Sequence, residues 1–199
     1  MERSREPVTS VTSHDATGPV DATGPARTLV DAARHPLPHT LIIGCGNLLR
    51  GDDAVGPILI RHLWERGLPP GVRCADGGTG GMDVAFQMRG VAHVILVDAC
   101  TSGSEPGALF KLKGTDVEHL PPLAGVNLHA FRWDHALAFA RWALKDEYPA
   151  NIDVYLIEAQ RLTIGDALSE PVERTMHRLA DLLIRQLHEQ GTPVAGGAA

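Results

Sequence analysis

Four side chains of this 199-residue chain stand where loops would present them for chemistry. Asp53 follows Gly44-x-Gly46-Asn47-x-Leu49-x-x-Asp52, and Asp76 heads the run Gly77-Gly78-Thr79-Gly80-Gly81. Asp98 closes the apolar run His93–Val97, and His129 sits in Asn127-Leu128-His129, ahead of a helical pattern. Two carboxylates from separate loops together with one imidazole make an oxygen/nitrogen site suited to a divalent transition metal such as nickel or zinc. The same carboxylates can act as general bases.

Each of these residues also has a purely structural explanation. Asp52-Asp53 complements the dipole of the helix that follows, and only the acid facing the crevice is available to a metal. An aspartate ahead of glycines, like Asp76, can simply accept a hydrogen bond from its own turn. Asp98 serves as well for the wall of a crevice as for catalysis. His135 lies within the next helix and packs or bonds locally, which leaves it a rival to His129. Cys45, Cys74 and Cys100 read as small core residues at strand ends, with a thiolate metal site as the weaker alternative.

The elements that must hold these residues follow from periodicity. Leu41–Ile43 is an apolar run of the kind buried in a parallel sheet. Val55, Ile58, Leu59, His62 and Leu63 recur at helical spacing after it, and Pro57 falls early, where a helix tolerates a residue without an N–H. Val72–Ala75 predicts a second strand ending at Asp76, with a helix over Met82–Met88. His93–Val97 predicts a third strand ending at Asp98. Ala108–Leu112 and Ile152–Ile157 predict two more. Asp134 predicts the N-cap of a helix through Leu144, and Ser169-Glu170-Pro171 opens a long helix to about Glu189. Alternating strands and helices predict an α/β fold, a three-layer αβα sandwich on a mostly parallel twisted sheet of about five strands. Such sheets place their ligands at the carboxyl ends of the strands, the edge to which Asp52/Asp53, Asp76 and Asp98 are all delivered.

Several functions are disfavoured. The position after Gly44-x-Gly46-x-x is Leu49, so the third glycine of a dinucleotide fingerprint is missing. Gly46-x4-Gly51 runs into Asp52-Asp53, not Lys-Ser/Thr, and acids at that mouth would repel a phosphate. There is no Gly-x-Ser-x-Gly and no His-Glu-x-x-His. A formal charge of −6 without a basic cluster argues against nucleic acid. No apolar run of membrane-spanning length occurs, the N-terminus lacks a secretory pattern, and three cysteines without Cys-x-x-Cys fit a reducing cytoplasm. Residues 1–38 are rich in Ser, Thr, Asp, Gly and Pro and repeat Asp-Ala-Thr-Gly-Pro at Asp15–Pro19 and Asp21–Pro25. They are expected to be a disordered extension, with one domain over 39–190 and a flexible tail over 191–199.

Taken in order, these motifs resemble the hydrogenase maturation proteases, the endopeptidases that trim nickel–iron hydrogenase large subunits. The likeness rests on Gly44-x-Gly46-Asn47-x-Leu49-x-x-Asp52-Asp53-x-x-Gly56, then Asp76-Gly77-Gly78-Thr79-x-Gly81, Val97-Asp98-Ala99, Pro106-Gly107 and Leu128-His129. It covers about residues 40 to 190. The resemblance implies an αβα sandwich and removal of a C-terminal extension from a precursor that already carries nickel. It also implies that Asp53, Asp76 and His129 contact that metal and act at the scissile bond. Some family members have Glu at the first position, so Asp53 is a shorter-armed variant. The nickel would come with the substrate, the large-subunit precursor, and no tightly held cofactor, nucleic acid or membrane is implied. A non-catalytic nickel-sensing escort and a metallo-aminopeptidase are the alternatives.

Overall fold

The computed structural model describes residues 39–117 and 133–191. His129, the Pro121-Pro122 segment, the N-terminal extension and residues 192–199 lie outside the described residues.

Five strands form one sheet: β1 (Thr40–Cys45), β2 (Val72–Gly78), β3 (His93–Cys100), β4 (Leu109–Lys113) and β5 (Asn151–Glu158). Their order across the sheet is β2-β1-β3-β5-β4. The first four strands of that order are parallel, and β4 closes the edge antiparallel to β5. The helices are α1 (Val55–Arg66), α2 (Gly81–Gln87), α3 (Gly114–Val117), α4 (Trp133–Leu144) and α5 (Glu170–Gly191). No helix among the described residues is long and apolar enough to cross a membrane.

Alternation along the strands divides the core into two layers, because successive side chains of a strand point to opposite faces. Leu41, Ile43, Val94 and Leu96 pack with Val84 and Met88 around α2, and with Leu137 and Ala140 of α4. Ile42, Ile95 and Val97 face the other way, onto Val55, Leu59 and Leu63 of α1 and Val172, Met176, Leu179 and Leu183 of α5. Leu59, Leu63, Leu179 and Leu183 are completely buried. Each such side chain contributes about 1.5–3 kcal/mol relative to exposure. The α/β architecture expected from the sequence is the one observed.

One short helix, α3, was not expected from the sequence, and the other differences lie at element ends. β2 runs through Asp76 to Gly78, and β3 continues past Asp98 to Cys100. In both, pairing with a parallel neighbour carries the strand beyond its apolar run. α4 begins at Trp133, so Asp134 is a first-turn residue and not the N-cap.

Candidate active site

The chain leaves β1 for β2 on one side of it and then crosses back to place β3 on the other. That reversal opens a crevice outside the carboxyl ends of β1 and β3, the place where open α/β sheets bind ligands. A cavity of about 190 Å³ occupies it, lined by Gly46, Arg50, Asp53, Gly78, Thr79 and Asp98 among others. Liquid water takes about 30 Å³ per molecule, so the notch has room for an ion with several waters.

Asp53 reaches this notch because β1 turns sharply into a 3₁₀ turn over Gly51–Ala54, directly ahead of α1. Two glycines make the turn possible. Gly46 has φ of +130°, and a Cβ there would lie 1.8 Å from the Asp53 carbonyl oxygen. A Cβ on Gly56 would lie 2.2 Å from the Cys45 carbonyl oxygen, so a side chain would push the start of α1 off the end of β1. The Gly46 N–H donates to the Gly78 carbonyl at 2.9 Å, tying the β1 loop to the β2 loop across the notch.

The neighbouring acid has another fate. Asp52 is fully buried, and its carboxylate accepts hydrogen bonds from the backbone N–H groups of Gln160 (2.8 Å), Arg161 (3.0 Å) and Ser169 (2.6 Å) and from the Ser169 hydroxyl (2.9 Å). Those four donors fasten the segment between β5 and α5 onto the 3₁₀ turn. Asp52 is thus a structural acid, and Asp53 is the one of the pair that lines the crevice.

Asp76 lies next door. It is exposed and lines an adjoining open cleft with Asp83, Phe86 and Gln87, a cleft that shares Gly78, Thr79 and Gly80 with the notch. One of its carboxylate oxygens accepts the Gly78 N–H at 2.8 Å, the local turn bond anticipated for an aspartate before glycines. Asp98 shares the notch with Asp53, and Asp76 lines the cleft that adjoins it through Gly78, Thr79 and Gly80. Asp98 is buried, and its Oδ1 accepts the Ala99 N–H at 2.8 Å. Among the described residues no group of three or more His, Cys, Asp or Glu side chains is placed to hold a metal ion, and His129 lies outside them. His135 sits half-buried within α4.

The cysteines do not supply a nucleophile at neutral pH from the two positions where their acidity is perturbed. Burial pushes the Cys100 thiol up to about 12, assisted by its hydrogen bond to Glu158 at 3.3 Å, and burial also raises Cys74. A thiol needs its thiolate form to attack, and both sites disfavour it.

Glu158, at the end of β5, was not singled out by the sequence pattern. It is buried and accepts the Ser102 and Gly103 N–H groups at 2.9 Å and the Ser102 hydroxyl at 2.7 Å. The Ser102 backbone bond, then its hydroxyl, lowers the Glu158 pKa to about 2. Its one visible signal was an acid directly following the apolar run Ile152–Ile157, at the same strand edge as the other acids.

Residues 57–186 match the family profile of the HycI hydrogenase maturation proteases. The hydrogenase expression/formation protein HupM of Azotobacter chroococcum is 31% identical over 166 residues, covering 81% of this chain and 78% of HupM. The hydrogenase 2 maturation protease of Escherichia coli is 27% identical over 153 residues, covering 76% and 92%. The structure of the hydrogenase maturating endopeptidase HybD from Escherichia coli superposes with a TM-score of 0.63 at 28% identity, covering 76% of this chain and 93% of HybD. A profile match across most of the domain, together with the shared fold and the acid-lined crevice, makes this chain a member of the hydrogenase maturation protease family.

Proposed function

We propose that this protein is the endopeptidase that removes the C-terminal extension from a nickel-loaded nickel–iron hydrogenase large-subunit precursor. The observation that carries the reading is the presence of two carboxylates, Asp53 and Asp98, in one notch at the switch between β1 and β3. In this reading the two acids meet the nickel that the precursor brings, and His129 adds an imidazole. Incomplete ligation suits the task, because a site offering few ligands leaves positions open for the substrate's own groups. The precursor's metal, seated there, polarises the scissile carbonyl or acidifies a water. Asp76, exposed at the rim of the adjoining cleft, serves as the base that accepts a proton from that water.

The test is to incubate the purified protein with nickel-loaded and nickel-free precursor and follow the mass of the large subunit. Trimming of the loaded form alone, lost on substitution Asp76→Ala, is the expected result. Equal trimming of both forms would sink the proposal, and so would full activity of the Asp76→Ala enzyme. Binding to the loaded precursor with no change in its mass would instead identify a non-catalytic escort.

A further inference from the structure

Two loops, one of which contributes Arg50 to the wall of the notch, expose large aliphatic side chains from a braced backbone. Leu48 and Leu49 follow β1 and are 54% and 71% exposed, and Ile164, between β5 and α5, is 79% exposed. Mobile loops often show such residues by accident, but these loops are fastened to one another. The Gly165 N–H donates to the Leu49 carbonyl at 2.9 Å, and the Asp52 N–H donates to the Arg161 carbonyl at 3.0 Å. Arg50 Nε donates to the Leu162 carbonyl at 3.3 Å, and the carboxylate of Asp52 draws in Gln160, Arg161 and Ser169 from beneath. Ile164 is thereby held one residue from the backbone partner of Leu49. The rim is also continuous with the notch: the Asp53 N–H donates to the Arg50 carbonyl at 3.1 Å, and Arg50 itself lines the cavity.

We propose that Leu48, Leu49 and Ile164, with Arg50 between them and the notch, form the docking rim for the polypeptide whose bond is cut. The inference rests on the protease reading above and deepens it by naming the surface that recognises the substrate. The occupant is a stretch of the precursor flanking the scissile bond, with aliphatic side chains for the three apolar residues and a main-chain or side-chain oxygen for the guanidinium. Three considerations select it. A chain seated at Asp53 has to continue across the adjacent residues. Arg50 has five N–H donors, and the bond to Leu162 uses one, which suits a carbonyl- or carboxylate-bearing ligand and not a purely apolar one. A preformed, hydrogen-bonded rim also spares the ordering cost that a floppy loop would meet on binding.

The experiment measures initial rates on nickel-loaded precursor for the wild type, the double variant Leu49→Ser/Ile164→Ser, and Trp64→Ser. Trp64 is 74% exposed near the far end of α1, so its loss controls for removing a surface apolar group. The double variant is expected to raise KM about tenfold or more with kcat within about twofold, because only contacts made equally in the ground and transition states are lost. Its melting temperature should match the wild type, and Leu49→Met/Ile164→Val should restore KM. Trp64→Ser should behave as wild type. An unmoved KM in the double variant, with the wild type trimming normally, overturns the rim and leaves the protease reading intact. A wild-type self-association that the double variant abolishes also overturns it, since the rim would then join two copies of this chain. A wild type that trims nothing takes down the function and the rim with it.

Discussion

Two sets of acids share the carboxyl edge of the sheet, and their surroundings separate them more than their positions do. Asp52 and Glu158 are caged: each is buried, and each is surrounded by backbone N–H groups and a serine hydroxyl contributed by a loop distant in sequence. Asp53 and Asp98 line an open notch, where Oδ1 of Asp98 also accepts the Ala99 N–H. A carboxylate whose lone pairs are filled by protein donors fastens loops together. One that is left facing a cavity can take up a cation or a proton. The cages therefore brace the walls of the notch, and the proposed function assigns the chemistry to the notch itself. The closest instance of the contrast is Asp52 beside Asp53, adjacent in the chain and assigned to opposite tasks.

The largest effect that tests this division is loss of activity without loss of fold. Asp53→Asn keeps the shape of the side chain and removes its charge, so trimming of the nickel-loaded precursor should fall on the order of 10³-fold, about 4 kcal/mol in the barrier. Thermal melts should place the variant with the wild type. A variant that unfolds early yet trims normally once folded would reverse the assignment and make Asp53 the structural acid.

Asp52→Asn should do the opposite. The amide offers one acceptor oxygen where the carboxylate had two, and it turns a donor toward N–H groups that need an acceptor. Leaving buried donors unsatisfied costs about 1–3 kcal/mol per group, and loss of the charge weakens the rest, so a penalty of about 3 kcal/mol is expected. Against a typical stability of about 5–15 kcal/mol that is a large fraction, visible as a lower urea midpoint with an unchanged slope. Because the same bonds brace residues 160–169, the protein that remains folded should trim normally only if the rim has kept its place.

The division also marks what the sequence could reveal. Strand and helix identities were legible because each segment carries its own period: Leu41–Ile43 runs apolar, while Val55, Leu59 and Leu63 repeat every four residues. The delivery of acids to one edge was legible too, since it needs only that parallel strands end together. The choice between Asp52 and Asp53 was hidden. It is made by Gln160, Arg161 and Ser169, more than a hundred residues away, whose N–H groups have no signature in side-chain pattern. That Asp98 shares the notch with Asp53 was hidden for a related reason. It needs β3 to lie beside β1, and strand order is a property of the crossovers and not of any one strand. The family resemblance implies a metal contact at Asp76 as well, and that residue lines the adjoining cleft, which shares Gly78, Thr79 and Gly80 with the notch.

The smallest effect expected is a dependence on pH. Glu158 is held at about 2 in the folded protein, against an ordinary value of 4.5, chiefly by the Ser102 N–H and hydroxyl. Between those values the unfolded chain binds a proton that the folded chain refuses, so acid favours unfolding in that interval. The stabilisation is complete above about pH 4.5 and is lost as pH falls through the window toward 2. Glu158→Gln removes the titration. Its urea midpoint should lie below that of the wild type at pH 6, and the gap should hold down to about pH 4.5 and then narrow toward pH 3. A gap that stays constant across that range would show that the Ser102–Gly103 loop is held by shape alone. Glu158 would then leave the set of caged acids, and Asp52 would be the single carboxylate that braces the notch.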